Sequence, residues 1–345
     1  MFLDRLLPKG YPALDWIQVE ISSHCDAGCI YCPHTAYHQN WQQRFLPLEL
    51  FRRLSPAFGR AGLVYLQGWG EPFTHPQFFD MLHIAKQAGC LVGTTTNATL
   101  LTRQSVERLV QEGLDVLGLS LAGVDDRNDA VRKGTRIAQV LRCAEEVHRA
   151  RSKYGLERPK IHFAYMLLRS AAADLDRLPA FLAESGAEQT VVSSLSLAVN
   201  AEMERETWAA GDAAEYGELR NRLTEVKDQS TRLGVEVHFR MIRAGQQGFH
   251  CTENCGRAVV VGSDGEVSPC VMTRIPVVGQ NYHYFRERPH LHRNLVFGDM
   301  RQDRLDRIWH RGEYRSFVRA FVRGEGPPSC RTCLKQFSDN LETVP

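Results

Sequence analysis

Residues 23–33 read Ser23-His24-Cys25-Asp26-Ala27-Gly28-Cys29-Ile30-Tyr31-Cys32-Pro33, directly after the apolar run Ile17–Ile21. That run is short and β-branched, so it reads as a strand, and the cysteines fall on the loop that leaves it. Loops at such strand ends are where α/β proteins place their chemistry. Three thiolates spaced C-x3-C-x2-C can take three corners of a cubane iron–sulfur cluster. Zinc would need a fourth nearby ligand, for which His24, His34 and His38 are the candidates, or an open catalytic position. The two CxxC pairs of a structural zinc finger are not the pattern of this loop.

Outward from the loop, apolar β-branched runs alternate with amphipathic stretches over the first two hundred residues. Strands are predicted at Ile17–Ile21, Leu63–Gln67, Val92–Thr96, Val116–Leu121, Ile161–Leu167 and Thr190–Leu195, with helices at Leu48–Phe58, Pro76–Ala88, Arg103–Glu112, Ile137–Tyr154 and Asp174–Glu184. Strand–helix units in this order predict a parallel sheet with crossover helices, either an open doubly wound sheet or a barrel, complete or partial. After Ala198 the rhythm changes. A long helical pattern at Ala213–Leu233 leads to a short strand, Val235–Phe239, and then to a Cys-, Gly- and Pro-rich region. There Ser263-Asp264-Gly265 is a turn between short paired strands at Ala258–Val261 and Glu266–Val267. Asp303–Arg323 reads as helix, with Trp309, Tyr314, Phe317 and Phe321 as core residues. A domain boundary is expected near residue 200.

Composition bounds the function. The chain has 345 residues, 43% of them hydrophobic, and a formal charge of +2. Nothing there calls for nucleic acid or an anionic membrane. Residues 1–11 lack the apolar centre of a signal peptide, and no stretch approaches about eighteen apolar residues, so a cytoplasmic protein is expected. The ten cysteines therefore read first as ligands or catalytic groups. Eight fall in two groups: Cys25, Cys29 and Cys32, then Cys251, Cys255, Cys270, Cys330 and Cys333. Cys90, which follows a predicted helix, and Cys143, which lies within one, read as small buried hydrophobes.

Three motifs in order turn the first group into a family signature. The C-x3-C-x2-C loop carries an aromatic just before its third cysteine. Gly68-Trp69-Gly70-Glu71-Pro72 follows the second strand, Thr95-Thr96-Asn97 ends the third, and Leu119-Ser120-Leu121 ends the fourth. Together these resemble the radical S-adenosylmethionine (SAM) superfamily, whose Gly-Gly-Glu-Pro motif here has Trp69 in place of a glycine. The resemblance implies a partial (β/α)6 TIM barrel over residues 14–198, between an N-terminal segment (1–13) and a helical linker (199–240). It implies a [4Fe–4S] cluster with one open iron that chelates SAM, reductive cleavage to a 5′-deoxyadenosyl radical, and hydrogen abstraction from a substrate. By position, the backbone of Trp69, Gly70 and Glu71 would meet the SAM amino group. Thr96, Asn97 and Ser120 would meet the ribose and methionyl moieties. Arg132 would face the SAM carboxylate or else be a solvated arginine. Tyr31 would lie near adenine or pack beneath the loop.

The second cysteine group is similar to the SPASM and twitch extensions of that superfamily, which open with a cysteine and a Gly-x4-Cys hairpin, here Gly265 to Cys270. The resemblance implies a SPASM/twitch-like domain, residues 241–345, holding one auxiliary [4Fe–4S] cluster. Five cysteines are present, and the later C-x5-C-x3-C run of a full SPASM domain is missing. Cys270, Cys330 and Cys333 would be ligands, with Cys251 or Cys255 as the fourth. A structural zinc and unligated core cysteines are the alternatives.

The reaction is less legible. Trp16–Glu20, Gly68–Pro72, Ala164–Leu168 and Val267–Val271 look similar to maturases associated with tungsten-containing aldehyde ferredoxin oxidoreductases. That implies action on a peptide, protein or metal-cofactor precursor, with a reducing partner such as ferredoxin or flavodoxin. No leader-binding domain is visible before Trp16. A small-molecule dehydrogenase using the auxiliary cluster as electron acceptor is the alternative, and a non-catalytic iron–sulfur carrier a second. His162 and Tyr165 are acid–base candidates on the fifth strand, and a period of two puts them on opposite faces.

Overall fold

The computed structural model describes residues 13–243, 249 and 251–339. The expected N-terminal segment lies outside them except for Ala13. Strands β1 (Leu14–Val19), β2 (Ala61–Leu66), β3 (Leu91–Thr96), β4 (Val116–Leu121), β5 (Lys160–Leu167) and β6 (Gln189–Ser194) lie side by side in chain order, all parallel. A doubly wound sheet reverses its strand order at a switch point. This one winds one way only, as in a barrel, with β7 (Glu236–Arg240) added parallel beyond β6.

On the opposite flank the C-terminal half joins the same sheet. Strand β8 (Ala258–Val261) pairs parallel with β1, in register Trp16 with Ala258 and Val19 with Val261. Next come β9 (Glu266–Ser268), a separate hairpin of β10 (Asn281–Phe285) and β11 (Arg288–His292), and β12 (Gly298–Asp299). Antiparallel pairing of β8, β9 and β12 completes a ten-stranded sheet. Among the described residues no pairing joins its outer edges, β7 and β12. The architecture is thus α/β, a partial barrel extended at both ends.

Period-two patterning sorts the strand side chains. In β5, Ile161, Phe163, Tyr165 and Leu167 are buried in the main core, while His162, Ala164 and Met166 on the other face are only partly covered. On that inner face Tyr65 donates to or accepts from Thr95 Oγ1 at 2.9 Å. Room for Tyr65 is made by Gly93, where a Cβ would lie 2.5 Å from its ring.

Crossover helices α1 (Leu48–Leu54), α2 (Phe78–Gln87), α3 (Arg103–Gln111), α4 (Ile137–Tyr154) and α5 (Leu178–Glu184) precede the long α6 (Ala213–Arg232). Thr102 and Ser105 cap α3 reciprocally, and Asp212 accepts from Glu215 N–H at the start of α6. Helix α4 stops at Gly155, which takes the left-handed conformation at φ 64°.

Three predicted helices are broken, and of these Leu48–Phe58 becomes α1 followed by a 3₁₀ segment, Ser55–Arg60, with Pro56 in its first turn. Asp174–Glu184 becomes a 3₁₀ segment, Arg169–Asp176, followed by α5, because Pro179 lacks an N–H and suits a first turn. Asp303–Arg323 splits into Leu305–Trp309 and α7 (Gly312–Val322), with Arg311 extended between them. The break lets buried Tyr314 stack on Phe297 with centroids 4.4 Å apart. Phe317 is also buried, and Trp309 and Phe321 pack partly against the core. Cys90 and Cys143 belong to the same core.

Candidate functional site

The cysteine loop is held from two sides. Gly28 and Cys29 form a short antiparallel ladder with Lys133 and Arg132, and Pro33 starts a single helical turn after Cys32. Asp26, inside the motif, accepts from Asn97 Nδ2 at 2.9 Å and from the Thr99 hydroxyl. Asn97 Oδ1 in turn accepts from Thr99 N–H at 2.9 Å. The turn after β3 is thereby pinned to the cysteine loop. Ala98 pays for the tightness with a φ of 67°, a strained value for a residue with a Cβ.

Arg132 is buried beside the cysteines and donates to the Tyr31 hydroxyl, while its Nε has no partner. Burial opposes its charge, but neighbouring Tyr31, Cys29 and Cys25 outweigh that and raise its pKa. The Cys25 and Cys32 thiols are each pushed up to about 12, chiefly by burial.

The Gly68–Pro72 loop is fixed largely by its backbone. A Cβ on Gly70 would lie 2.4 Å from Ser22 O and 2.5 Å from His24 O. Neither carbonyl can move freely, because each belongs to the turn into the cysteine loop. Glu71 N–H donates to His24 O at 2.7 Å. The buried Glu71 carboxylate accepts from Thr96 Oγ1 and Asn97 N–H, both at 2.8 Å, and from Phe73 N–H at 3.2 Å. Burial still raises its pKa, to about 7.

The same loop is tied to the C-terminal half. Trp69 N–H donates to Glu20 Oε1 at 2.8 Å, and its indole Nε1 donates to Arg274 O at 2.8 Å. Glu20 Oε2 also accepts from Ser263 N–H and Oγ, at 3.1 and 3.0 Å. Buried Arg274 pairs with Glu20, Asp264 and Glu266. Bulk at position 69, where the resembling motif has glycine, is what makes the indole bridge.

Cys25, Cys29, Cys32, Tyr31, Trp69, Gly70, Glu71, Thr96, Asn97, Ser120 and Arg132 all line one cavity of about 360 Å³. A neighbouring cavity of about 370 Å³ is lined by Cys251, Cys255, Cys270, Cys330 and Cys333. Ser196, Leu197, Met272 and Lys335 contribute to both. In the second cavity the neighbouring Cys270 thiol, together with burial, raises the Cys255 pKa. Burial also pushes Cys251 up to about 12 and Cys330 up to about 11.

With both cavities in view, similarity to known proteins is informative. Residues 19–168 match the radical SAM superfamily. Residues 251–334 match SPASM, an iron–sulfur cluster-binding domain. The chain is a radical SAM enzyme with a SPASM extension. A tungsten-containing aldehyde ferredoxin oxidoreductase cofactor-modifying protein of Pyrococcus furiosus is 25% identical over 340 residues, 96% of this chain and 90% of the relative. A GTP 3′,8-cyclase of Pseudomonas fluorescens is 24% identical over 266 residues, 73% of this chain and 77% of the relative. In fold, the chain resembles Streptococcus suis SuiB bound to S-adenosylmethionine, with a TM-score of 0.66 at 17% identity. That match covers 95% of this chain and 72% of SuiB. The anSMEcpe structure with bound AdoMet gives a TM-score of 0.63 at 17% identity, covering 92% and 88%.

A radical SAM domain implies a [4Fe–4S] cluster and SAM, and a SPASM domain implies auxiliary iron–sulfur clusters. The residues of this radical SAM enzyme fit those groups. Metal ligation takes thiolates. Buried thiols with raised pKa values stay protonated at neutral pH, so a cationic core must displace their protons. The orphaned Nε of Arg132 suits an anionic partner inside the cavity. Of the histidines weighed as zinc ligands, His24 stacks on Phe45 and His34 meets Trp41 edge-on. His24, His34 and His38 are all absent from the cavity lining. Tyr165 contributes to that lining and is fully buried, whereas His162 does not contribute.

Sequence reasoning missed Glu20, Asp26, Arg274 and the Lys335–Glu253 pair, whose Nζ–O distance is 2.8 Å. Asp26 alone carried a signal, as a carboxylate inside the C-x3-C-x2-C motif. No helix among the described residues is long and apolar enough to cross a membrane.

Proposed function

We propose that Cys25, Cys29 and Cys32 hold the SAM-binding [4Fe–4S] cluster, and that the chain matures a tungstoenzyme cofactor or its precursor. The convergence of these cysteines with Arg132 and the Gly68–Glu71 backbone on one cavity supports the first part. When bound and reduced, the cluster and SAM supply a 5′-deoxyadenosyl radical that takes a hydrogen atom from a substrate C–H bond. The chain's own contribution is orientation. Backbone groups of Trp69, Gly70 and Glu71 take the amino group of SAM, and Arg132 takes its carboxylate through the free Nε. Thr96, Asn97 and Ser120 frame the ribose and methionyl side. Tyr31 holds Arg132 in place and walls the cavity near adenine. Asp26 keeps Asn97 in register with the cysteine loop.

Four of Cys251, Cys255, Cys270, Cys330 and Cys333 hold one auxiliary cluster, with Cys270, Cys330 and Cys333 common to any set. In this reading residues 14–198 are the catalytic barrel, 199–240 a helical linker and 241–345 the auxiliary cluster domain. A ferredoxin or flavodoxin supplies electrons in the cytoplasm.

Near full-length similarity to the Pyrococcus furiosus cofactor-modifying protein supports the substrate assignment. The test is SAM turnover by the reconstituted enzyme with and without a tungsten-cofactor-free aldehyde ferredoxin oxidoreductase and its cofactor precursor. Stimulated 5′-deoxyadenosine formation and recovered oxidoreductase activity are expected. Turnover stimulated instead by small alcohols or sugars would replace the maturase reading with a dehydrogenase.

A further inference from the structure

A third cavity, of about 740 Å³, opens beside the other two and shares Ser196 and Lys335 with both of them. Ser193 and Ser194, at the end of β6, line it together with the SAM-side cavity. Trp16 of β1, the edge strand β7, one face of α6, and C-terminal residues including Glu253 and Asp339 also wall it. Tyr216, Arg220 and Lys227 share that face because they are spaced four and seven residues apart on a helix.

Its charges are unevenly committed. Among the acids, Glu253 is paired with Lys335 at 2.8 Å. Asp339 accepts from the Tyr216 hydroxyl at 2.9 Å and from Met241 N–H at 3.0 Å. Among the bases, His238 meets Glu236 at 2.9 Å. Arg220, Lys227 and Arg240 line the cavity, and no hydrogen bond or ion pair to another described residue occupies their side-chain cations. Three uncommitted cations around a concavity focus a positive potential that draws anions in. Trp16 also lines the cavity, on the sheet face opposite core residue Ile17, and its indole offers a flat apolar face that suits a ring.

We infer that this cavity is a binding site for a phosphorylated heterocycle, with the phosphates held by Arg220, Lys227 and Arg240 and the ring lying toward Trp16. Ser193 and Ser194 make it continuous with the SAM-side cavity, so the bound ring is presented to the reacting centre. Only that last step rests on the function proposed above; binding itself does not.

The test is calorimetric titration of the cluster-loaded enzyme at constant ionic strength with GTP as probe, alongside inorganic triphosphate, guanosine and hexaglutamate. GTP is expected to bind more tightly than triphosphate, with guanosine weaker still. Arg220→Glu and Arg240→Glu should each weaken GTP at least tenfold, and Arg220→Lys should retain most of the affinity. All three positions are exposed, and unchanged SAM binding by the variants certifies their fold. Equal affinity for GTP and guanosine, no GTP binding, or indifference to charge reversal would overturn the assignment. Hexaglutamate binding with the same variant sensitivity, without GTP binding, would replace it with an acidic peptide. SAM cleavage without added ligand is scored separately, so failure of the radical SAM reading is distinguishable from failure of this site.

Discussion

Gly70 sits where two backbone carbonyls leave no space for a methyl group. Gly70→Ala must therefore push the loop away from the cysteine turn. SAM affinity should fall at least tenfold, or about 1.4 kcal/mol, with the fold retained by circular dichroism. Glu71 is constrained differently, since its carboxylate only accepts and three donors converge on it. Glu71→Gln turns an amide NH₂ toward N–H donors. The expected cost is about 1–3 kcal/mol by chemical denaturation. Its pH dependence has a definite sign. Burial raises the folded pKa from 4.5 to about 7, so the folded chain binds more protons than the unfolded one between those values. The stability contributed by Glu71 therefore falls as pH rises through that window. The melting-temperature advantage of wild-type apoprotein over Glu71→Gln should shrink from pH 4.5 to 7; an advantage that grows would contradict the assignment.

At the scale of elements, the β8–β9 turn and the segment after Cys270 clamp the Gly68–Pro72 loop through Arg274. Removing one member of a buried ionic cluster leaves the others uncompensated. Arg274→Met strands Glu20, Asp264 and Glu266 and should destabilise the chain by about 3–5 kcal/mol, measured by urea unfolding. Trp69→Phe keeps the ring but loses the donor to Arg274 O, so SAM affinity should drop while cluster content holds. The individual strands were legible from sequence because β-branched runs are local signals; expected Val116–Leu121 is the observed strand. Pairing of β8 with β1 was not legible, since it joins residues some 240 apart and no periodicity reports partners. The split at Gly312 escaped notice because the apolar spacing continues across it, and only Tyr314 packing against Phe297 reveals the new helix.

At the scale of the whole molecule, two cysteine groups far apart in sequence line adjoining cavities. Local spacing made the first group readable. The second was readable as a group, but only folding brings Cys330 and Cys333 beside Cys251, Cys255 and Cys270. The Glu20–Arg274 network stayed hidden because its members are ordinary charged residues until the sheet closes over them. Iron analysis tests the division of labour between the cavities. Cys330→Ala should remove the iron of one cluster from the reconstituted protein, and single alanines at Cys251 and Cys255 should separate the fourth ligand from the spare. The most direct test of the central claim is anaerobic incubation of reconstituted enzyme with dithionite and SAM, followed by quantification of 5′-deoxyadenosine. Wild-type enzyme is expected to form it, and Cys25→Ala, Cys29→Ala and Cys32→Ala to form none while keeping the auxiliary cluster. Absence of 5′-deoxyadenosine from fully loaded wild-type enzyme, or its undiminished formation by the three variants, would contradict it.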